Sequence, residues 1–321
     1  MSPSSKIDII YVPADCGSVI PGKSKAPKAF QDVGLARKLR DAGVSKVSEH
    51  NALESPAEYS ISDFARDSVR NEELNISVCY SVDKALQQTL EPSTTDIPFQ
   101  LIIGGECGMS PGILAAFWRW AYSHSPALRV GFLYIDADAD LNTPNDRSFV
   151  GTFAGMNMTH LLRTPGAFRS MDVFSRPTGE PVCDASNTVF FGMNADNAGN
   201  TREQLAFLLE NGFRVVTSAS VAKDPVQNAK SALSYLEENS GVILVHLDVD
   251  SIDPKMFPLA NIPNYTGVAF DDMMQALKVL LASPKVKGLT VAEVNPDHDI
   301  GLDMTTRLTD HLVNMLAAKP F

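Results

Sequence analysis

The sequence predicts an α/β protein built on one mostly parallel sheet of about eight strands, with helices covering both faces. Short apolar runs rich in Val, Ile, Leu and Phe alternate with helical patterns along all 321 residues. This alternation is typical of right-handed βαβ units. The sharpest polar clusters also follow predicted strands, and ligands of such sheets bind at the carboxyl ends of strands. We therefore expect a binding site at that edge.

The elements follow one another in a regular order. Apolar runs predict strands at residues 7–12, 45–49, 99–103, 130–135, 188–191, 213–217, 242–248 and 286–294. Helical spacing predicts helices at residues 29–42, 76–90, 111–123, 202–211, 226–238, 270–282 and 304–317, and a loop leading into a helix at residues 151–162. Ser110 is the expected N-cap of the helix that begins with Pro111. Residues 164–186, rich in Pro, Arg and Ser, predict a surface excursion.

Composition and charge limit the class of protein. Hydrophobic residues make up 44% of the chain and charged residues 20%, as in a globular protein with a sizeable core. No linker, repeat or low-complexity block divides the chain, so we expect a single domain over residues 1–321. The formal net charge of −11 argues against a nucleic-acid or anionic-membrane surface.

Compartment and membrane association are also indicated by the sequence. No apolar run approaches the roughly 18 residues of a membrane span. The N-terminal residues lack the apolar core of a signal peptide, and the four cysteines show no CxxC spacing. A cytoplasmic protein without a disulfide framework is therefore expected.

One strand end carries an unusual run of carboxylates. The apolar residues 130–135 lead directly into Asp136, Asp138 and Asp140, spaced two apart. Buried carboxylates are costly without a nearby cation, and their oxygens suit hard divalent cations. A second apolar strand ends in Asp248 and Asp250. The two strand ends together predict a metal site, and a solvated turn whose Asp residues cap backbone amides is the simpler alternative.

Three further residues near predicted strand ends carry weaker signals. Cys107 alone would be read as a small buried hydrophobe, and Glu293 alone would be ordinary. His246 alternates with Asp248 along one predicted strand and shares its face. We expect His246 to be a satisfied sheet residue rather than a ligand.

Four segments resemble, in the same order, the signatures of the ureohydrolase family, which includes arginase, agmatinase and formiminoglutamase. They are Gly104-Gly105-Glu106-Cys107-Gly108-Met109-Ser110, Asp136-Ala137-Asp138-Ala139-Asp140-Leu141-Asn142-Thr143-Pro144, Leu247-Asp248-Val249-Asp250-Ser251-Ile252-Asp253-Pro254 and Glu293-Val294-Asn295-Pro296. The resemblance covers nearly the full length. It implies a three-layer α/β/α fold, commonly in a trimer or hexamer, with a two-manganese cluster bridged by hydroxide.

The resemblance also implies a set of metal ligands, two of which depart from the family. Its aspartates are kept, whereas Cys107 and Asp138 stand where relatives have histidines. Every position still holds a group able to bind metal, so we expect one or two divalent ions, with Mn²⁺ favoured and the mixture of hard and soft ligands leaving the metal open. The added negative charge should lower the Lewis acidity of the metals. The implied ligands are Cys107, Asp136, Asp138, Asp140, Asp248 and Asp250.

Substrate and catalytic residues are implied in the same way. Glu293 keeps the carboxylate that would pair with a guanidinium or amidinium group. Asn142 and Asp196 are the other expected substrate-binding residues, and Asp140 and Glu293 are the expected catalytic residues. Ala154 stands where the family has a proton-shuttling histidine, and Val150 stands near a serine position.

These residues favour a divergent metal-dependent hydrolase over an ordinary arginase. It would cleave a C–N bond of a guanidino, amidino or formimino small molecule through a metal-bound hydroxide. The alternative is a catalytically silent paralogue that serves as a ligand-binding, regulatory or assembly subunit. Non-hydrolytic chemistry at a repurposed site is a minor third possibility. We expect a homo-oligomer that binds neither nucleic acid nor membrane.

Overall fold

A computed structural model describes residues 5–62, 69–91, 94, 96–144, 151–197 and 199–320. Within this part of the chain, eight strands form one sheet in which every neighbouring pair is parallel. The strands are β1 (Lys6–Val12), β2 (Lys46–Asn51), β3 (Phe99–Gly104), β4 (Val130–Ile135), β5 (Thr188–Met193), β6 (Arg214–Thr217), β7 (Val242–Asp248) and β8 (Val286–Ala292). Their spatial order is β2-β1-β3-β8-β7-β4-β5-β6.

Helices connect the strands and cover both faces of the sheet. They are α1 (Ala26–Asp32), α2 (Leu35–Asp41), α3 (Glu72–Thr89), α4 (Ser110–Tyr122), α5 (Asn157–Leu162), α6 (Arg202–Glu210), α7 (Ser218–Lys223), α8 (Pro225–Asn239), α9 (Phe270–Leu281) and α10 (Asp303–Ala317). No helix in the described part of the chain is both long and apolar enough to span a membrane.

Two buried cores lie on opposite faces of the sheet. Successive side chains of a strand point to opposite faces, so Leu101 and Ile102 of β3 enter different cores. The first core packs the sheet against α1, α2, α8, α9 and α10, through residues such as Phe30 and Leu277. The second packs it against α3, α4 and α5, through residues such as Leu86 and Phe117. This arrangement confirms the predicted three-layer α/β/α fold.

Three local predictions differ from the structure. The helix expected at residues 29–42 is divided into α1 and α2, because Gly34 between them has a left-handed φ of 77°. Ser110 does not cap α4 from outside; it is the first helical residue, and its hydroxyl donates to the carbonyl of Cys107 at 2.8 Å. α7 had no predicted counterpart, and Thr217 caps it by accepting from the amide of Ser220 at 3.2 Å.

The stretch at residues 164–186 is more than a surface excursion. Phe168, Met171 and Phe174 are only 4–5% exposed and belong with Phe153 to a third, smaller core. Such satellite cores form beneath long connections whose apolar side chains cannot reach the main sheet. The many Pro, Arg and Ser residues of this stretch predicted a surface segment, although these three apolar side chains are buried.

The topology places four strand ends side by side. β3, β8, β7 and β4 are consecutive neighbours at the centre of the sheet. Ile135 of β4 pairs with Leu247 of β7, which in turn pairs with Val291 of β8, so the strands end at nearly the same level. Polar residues that follow these strands therefore converge on one region of the carboxyl edge.

Candidate metal centre

Cys107 lies at the middle of the converging strand ends. It begins a short 3₁₀ turn directly after β3, and its side chain is 3% exposed. Its Sγ atom is 2.8 Å from Asp248 Oδ2 and 4.0 Å from Asp136 Oδ2. Burial, and then the neighbouring carboxylates, raise the pKa of the thiol. Without a cation, Cys107 is therefore a neutral thiol at neutral pH.

The Asp-rich segment after β4 separates into three different environments. Asp136 is 3% exposed, and its Oδ1 accepts from the amide of Asp138 at 2.7 Å. Asp140 has a left-handed φ of 48°, which turns its carboxylate so that Oδ2 accepts from the Tyr134 hydroxyl at 2.5 Å. The carboxylate of Asp138 lies beside Gly199, and its buried Oδ1 has no hydrogen-bond partner among the described residues.

Asp248 and Asp250 are held by backbone amides at the end of β7. Asp248 Oδ1 accepts from the amide of Asp250 at 2.8 Å. Asp250 Oδ1 accepts from the amide of Ala137 at 3.2 Å, which joins the ends of β7 and β4. These bonds fix the direction of both carboxylates.

The carboxylates of this centre are difficult to ionise together. Burial is the first cause, and it raises the pKa of Asp248 to about 8 and that of Asp138 to about 6. Burial and the repulsion of neighbouring carboxylates also raise the pKa values of Asp136, Asp140 and Asp250. A divalent cation would relieve both effects, so the donor set fits a metal ion.

His246, expected to be a sheet residue, lies in β7 beside this group. Its Nε2 atom lies 3.0 Å from Cys107 Sγ, and its ring stacks on Tyr134 with centroids 5.0 Å apart. Burial lowers the pKa of the imidazole to about 3, so the ring is neutral. One ligand atom from each of four residues lies within 4.8 Å of all the others: Cys107, Asp136, His246 and Asp248.

A buried lysine that the sequence did not reveal lies beside this group. Lys23 is 1% exposed, and its Nζ atom is 2.9 Å from Glu293 Oε2 and 4.0 Å from Glu106 Oε2. Burial opposes the charged form of Lys23, but attraction to Glu293 and Glu106 outweighs it and raises the pKa of the ammonium group. Burial raises the pKa of Glu106 to about 7, although Lys23 opposes that shift.

Glu293 connects the lysine to the candidate metal group. It follows β8 with a left-handed φ of 65°, and its Oε1 accepts from the amide of Cys107 at 3.2 Å. Its Oε2 is engaged by Lys23. The carboxylate expected to meet a cationic substrate therefore already has a cation within the protein.

The remaining predicted substrate residues lie further along the loops. The Oδ1 atom of Asn142 accepts from Gln204 Nε2 at 3.1 Å. Asp196 is exposed, and its amide donates to Asn194 Oδ1 at 3.1 Å. Their roles in substrate binding stay predictions. Val150 lies outside the described residues.

Comparison with known proteins identifies the family. A model of the arginase family matches residues 5–318. The chain belongs to the arginase family. It is 23% identical over 298 residues to the arginase of Bacillus caldovelox, covering 90% of this chain and 91% of that protein. The predicted ureohydrolase membership is thus confirmed.

Solved structures of arginase-family proteins share the fold. The structure of Bacillus caldovelox arginase aligns with a TM-score of 0.83 at 20% identity, covering 99% of this chain and all of that one. A formimidoylglutamase from Bacillus subtilis aligns with a TM-score of 0.69 at 18% identity, covering 99% of this chain and 88% of that one. At these identities the likeness establishes the fold alone.

Sequence reasoning weighed His246 without naming it as a ligand, and it missed Lys23. His246 carried a usable signal, since residues two apart on a strand share a face and Asp248 was already a candidate ligand. Lys23 carried none, because it lies in a loop more than 80 residues before Glu106 and 270 before Glu293. Only the three-dimensional structure brings these charges together.

Proposed function

We propose that this protein is a metal-dependent hydrolase that cleaves a C–N bond of a guanidino, amidino or formimino compound, and that it is not an ordinary arginase. The observation that carries the proposal is the buried group of Cys107, His246 and two aspartates at the carboxyl edge. Family members with arginase and formimidoylglutamase activity by name share the fold. Such substrates have the chemistry that a metal-assisted hydrolase acts on.

The proposed ligands of one or two divalent cations are the six positions implied by the family resemblance. Arginase-family members use a binuclear metal site, and we propose Mn²⁺ as the physiological ion of such a pair. When bound, the cation would activate a water molecule as the nucleophile. The proposed ligands are Cys107, Asp136, Asp138, Asp140, Asp248 and Asp250.

The protein's own side chains would position the reactants. Asp140, held by the Tyr134 hydroxyl at 2.5 Å, would accept a proton from the attacking water. Glu293 would orient the nitrogen end of the substrate, and the buried Lys23 would hold that carboxylate in place. Asn142 and Asp196 would contact the rest of the substrate.

Ala154 supports the exclusion of ordinary arginase activity. Its amide donates to the carbonyl of Gly17 at 2.8 Å. Its methyl side chain has no ionisable proton to give to a leaving group. Loss of a general acid typically costs about 10²- to 10⁴-fold in rate. A substrate with a better leaving group would depend less on that acid.

A catalytically silent family member is the second candidate, and one contact favours it. The ammonium of Lys23 lies 2.9 Å from Glu293, where a cationic substrate would bind. A cation already in that position would compete with a guanidinium group. In this case the protein would act as a ligand-binding, regulatory or assembly subunit.

The proposal also covers domain organisation, oligomeric state and compartment. We propose that residues 1–321 form one domain and that the protein is a homo-oligomer, a trimer or hexamer, as the family resemblance implies. All four cysteines are free and buried, which suits a reducing compartment such as the cytoplasm.

The chemistry can be tested on the purified protein loaded with Mn²⁺. Guanidino, amidino and formimino compounds would be screened for released urea, ammonia or formamide. We expect hydrolysis that Asp250→Asn abolishes and that Asp271→Asn, in an exposed ion pair with Arg307, leaves unchanged. Absence of any activity that depends on Asp250 would reject the hydrolase in favour of the silent member.

A further inference from the structure

Three types of donor atom converge around Cys107. The imidazole of His246 approaches the sulfur at 3.0 Å from β7, and Asp248 approaches it at 2.8 Å from the end of the same strand. Asp136 stands 4.0 Å away at the end of β4. All four residues are less than 9% exposed.

The sulfur of Cys107 has two close polar neighbours. The Cys107 thiol has one hydrogen, yet both His246 Nε2 and Asp248 Oδ2 lie within hydrogen-bond distance of its sulfur. If the thiol donates to Asp248, Nε2 must carry the imidazole proton, and the buried Nδ1 of His246 then lacks a donor among the described residues. A cation at this point would be bound by the sulfur, by Nε2 and by Oδ2 together, and Nδ1 would then carry the imidazole proton.

The spacing suits a tetrahedral ion. Zinc binds sulfur at about 2.3 Å and imidazole nitrogen at about 2.0–2.1 Å, so neighbouring donors of a tetrahedral site lie about 3.5 Å apart. The distances from Cys107 Sγ to its three neighbours range from 2.8 to 4.0 Å. These distances bracket the tetrahedral value, and all four donor atoms lie within 4.8 Å of one another.

We propose that Cys107, His246, Asp136 and Asp248 bind a zinc-type divalent cation, with His246 as a nitrogen ligand supplied by β7. This inference rests on the metal dependence proposed above, and it adds a ligand and a metal class. Thiolate and imidazole are softer donors than carboxylate and suit zinc, so zinc would take the place of one of the two Mn²⁺ ions proposed above. Relatives have a histidine at the position of Cys107. His246 would thus give the site a neutral imidazole ligand from a different position.

Metal binding at this site is coupled to proton release. Cys107 coordinates as a thiolate, so the S–H bond breaks, the sulfur keeps the electron pair, and the proton leaves to the buffer. His246 donates a nitrogen lone pair without losing charge. Zinc affinity therefore increases as the pH is raised.

Spectroscopy of the intact protein is the first test because it needs no variant. Co²⁺ added to the wild-type protein should give a thiolate-to-cobalt charge-transfer band in the near ultraviolet. X-ray absorption at the zinc edge should show one sulfur scatterer and at least one imidazole. Zinc bound without sulfur, or with no imidazole, would overturn the proposal.

Variants then test the role of His246. Loss of a residue that only hydrogen-bonds to a metal ligand weakens metal binding about 10- to 100-fold. His246→Ala removes a proposed ligand and should weaken zinc binding by more than this. Because most sites bind Zn²⁺ more tightly than Mn²⁺, the decisive quantity is the loss relative to the wild type. His160→Ala removes another buried imidazole, which stacks on Phe153 outside the cluster, and should leave zinc affinity unchanged. Equal affinities for the wild type and His246→Ala would refute the assignment.

The two proposals can fail separately. Zinc bound through Cys107 and His246, with no hydrolysis of any compound, would support the site and reject the proposed hydrolase. Hydrolysis dependent on manganese that His246→Ala leaves intact, together with no sulfur in the zinc spectrum, would support the hydrolase and reject the site.

Discussion

Replacement of Lys23 by methionine tests the most unusual charge arrangement of the protein. Methionine is of similar length and apolar, so the change removes the ammonium group while largely preserving volume. It leaves Glu293 and the fully buried Glu106 without their cation. The variant therefore isolates the electrostatic role of one side chain.

The magnitude follows from the geometry. At an effective dielectric constant of about 20, the attraction is about 6 kcal/mol at the 2.9 Å separation from Glu293 and about 4 kcal/mol at the 4.0 Å separation from Glu106. Desolvation of the buried charges offsets much of this attraction. Removing one partner of a buried pair costs about 3–5 kcal/mol, and we expect Lys23→Met to fall in this range.

Urea unfolding of the metal-free protein at pH 8 measures this cost. Lys25→Met is the matched control, because Lys25 pairs with Asp297 at 2.6 Å but has a 58% exposed side chain. Exposed pairs contribute about 0–1 kcal/mol, so the control should barely change the free energy of unfolding. A loss for Lys23→Met no larger than that for Lys25→Met would refute the reasoning.

The cost of Lys23→Met should also depend on pH. Without the lysine, the pKa of Glu106 should rise further above its value of about 7. An acid whose pKa is higher in the folded than in the unfolded protein binds a proton on folding, and its contribution to stability is lost as the pH rises. Lys23→Met should therefore be less destabilising at pH 5.5 than at pH 8.

Three further predictions concern the same edge of the sheet. The metal-free wild-type protein should lose stability as the pH is raised from about 5 to 7, because six acids at this edge have raised pKa values and outnumber the two buried histidines whose lowered pKa values act oppositely; thermal unfolding after chelation measures this. Tyr134→Phe removes the hydroxyl that positions Asp140 and should weaken metal affinity about 10-fold in a titration. Gly105→Ala would place a Cβ 1.5 Å from the carbonyl oxygen of Ala14 and should cost about 3 kcal/mol in urea unfolding.

Each of these predictions has a control or a contradicting outcome. A melting temperature of the metal-free protein that rises from pH 5 to 7 would contradict the first. Tyr11→Phe, which removes a hydroxyl bonded to Glu49 on another strand, should leave metal affinity unchanged. Gly301→Ala meets only the Asp303 side chain at 3.3 Å, and a cost equal to that of Gly105→Ala would show that steric contact is not the cause.

The sequence predicted the sheet well because its six inner strands are buried on both faces. Such strands appear as continuous apolar runs, and β4 and β7 end where Asp136 and Asp248 begin the polar segments. The break at Gly34 was not predicted, because a glycine within a helical pattern does not show whether its φ is positive. The buried Phe168 and Met171 were likewise hidden among polar neighbours.

The candidate site was predicted only where its residues follow strands. Cys107, Asp136 and Asp248 were expected together because parallel strands end at one edge. Asp138 was expected among them, and its role as a ligand stays a prediction; its carboxylate also lies beside Gly199, a contact set by loop geometry that spacing does not encode. Lys23 depends on a loop that returns to the sheet edge, so no local pattern could predict its pairing with Glu293.

Metal content is the most direct test of the account. The purified protein would be analysed by elemental mass spectrometry as isolated, and again after exposure to Mn²⁺ or Zn²⁺ and removal of free ion. The account predicts one or two tightly bound ions per chain, and a marked loss of binding in Asp248→Asn, whose carboxylate belongs to the group. A protein that retains no metal under any of these conditions would contradict it.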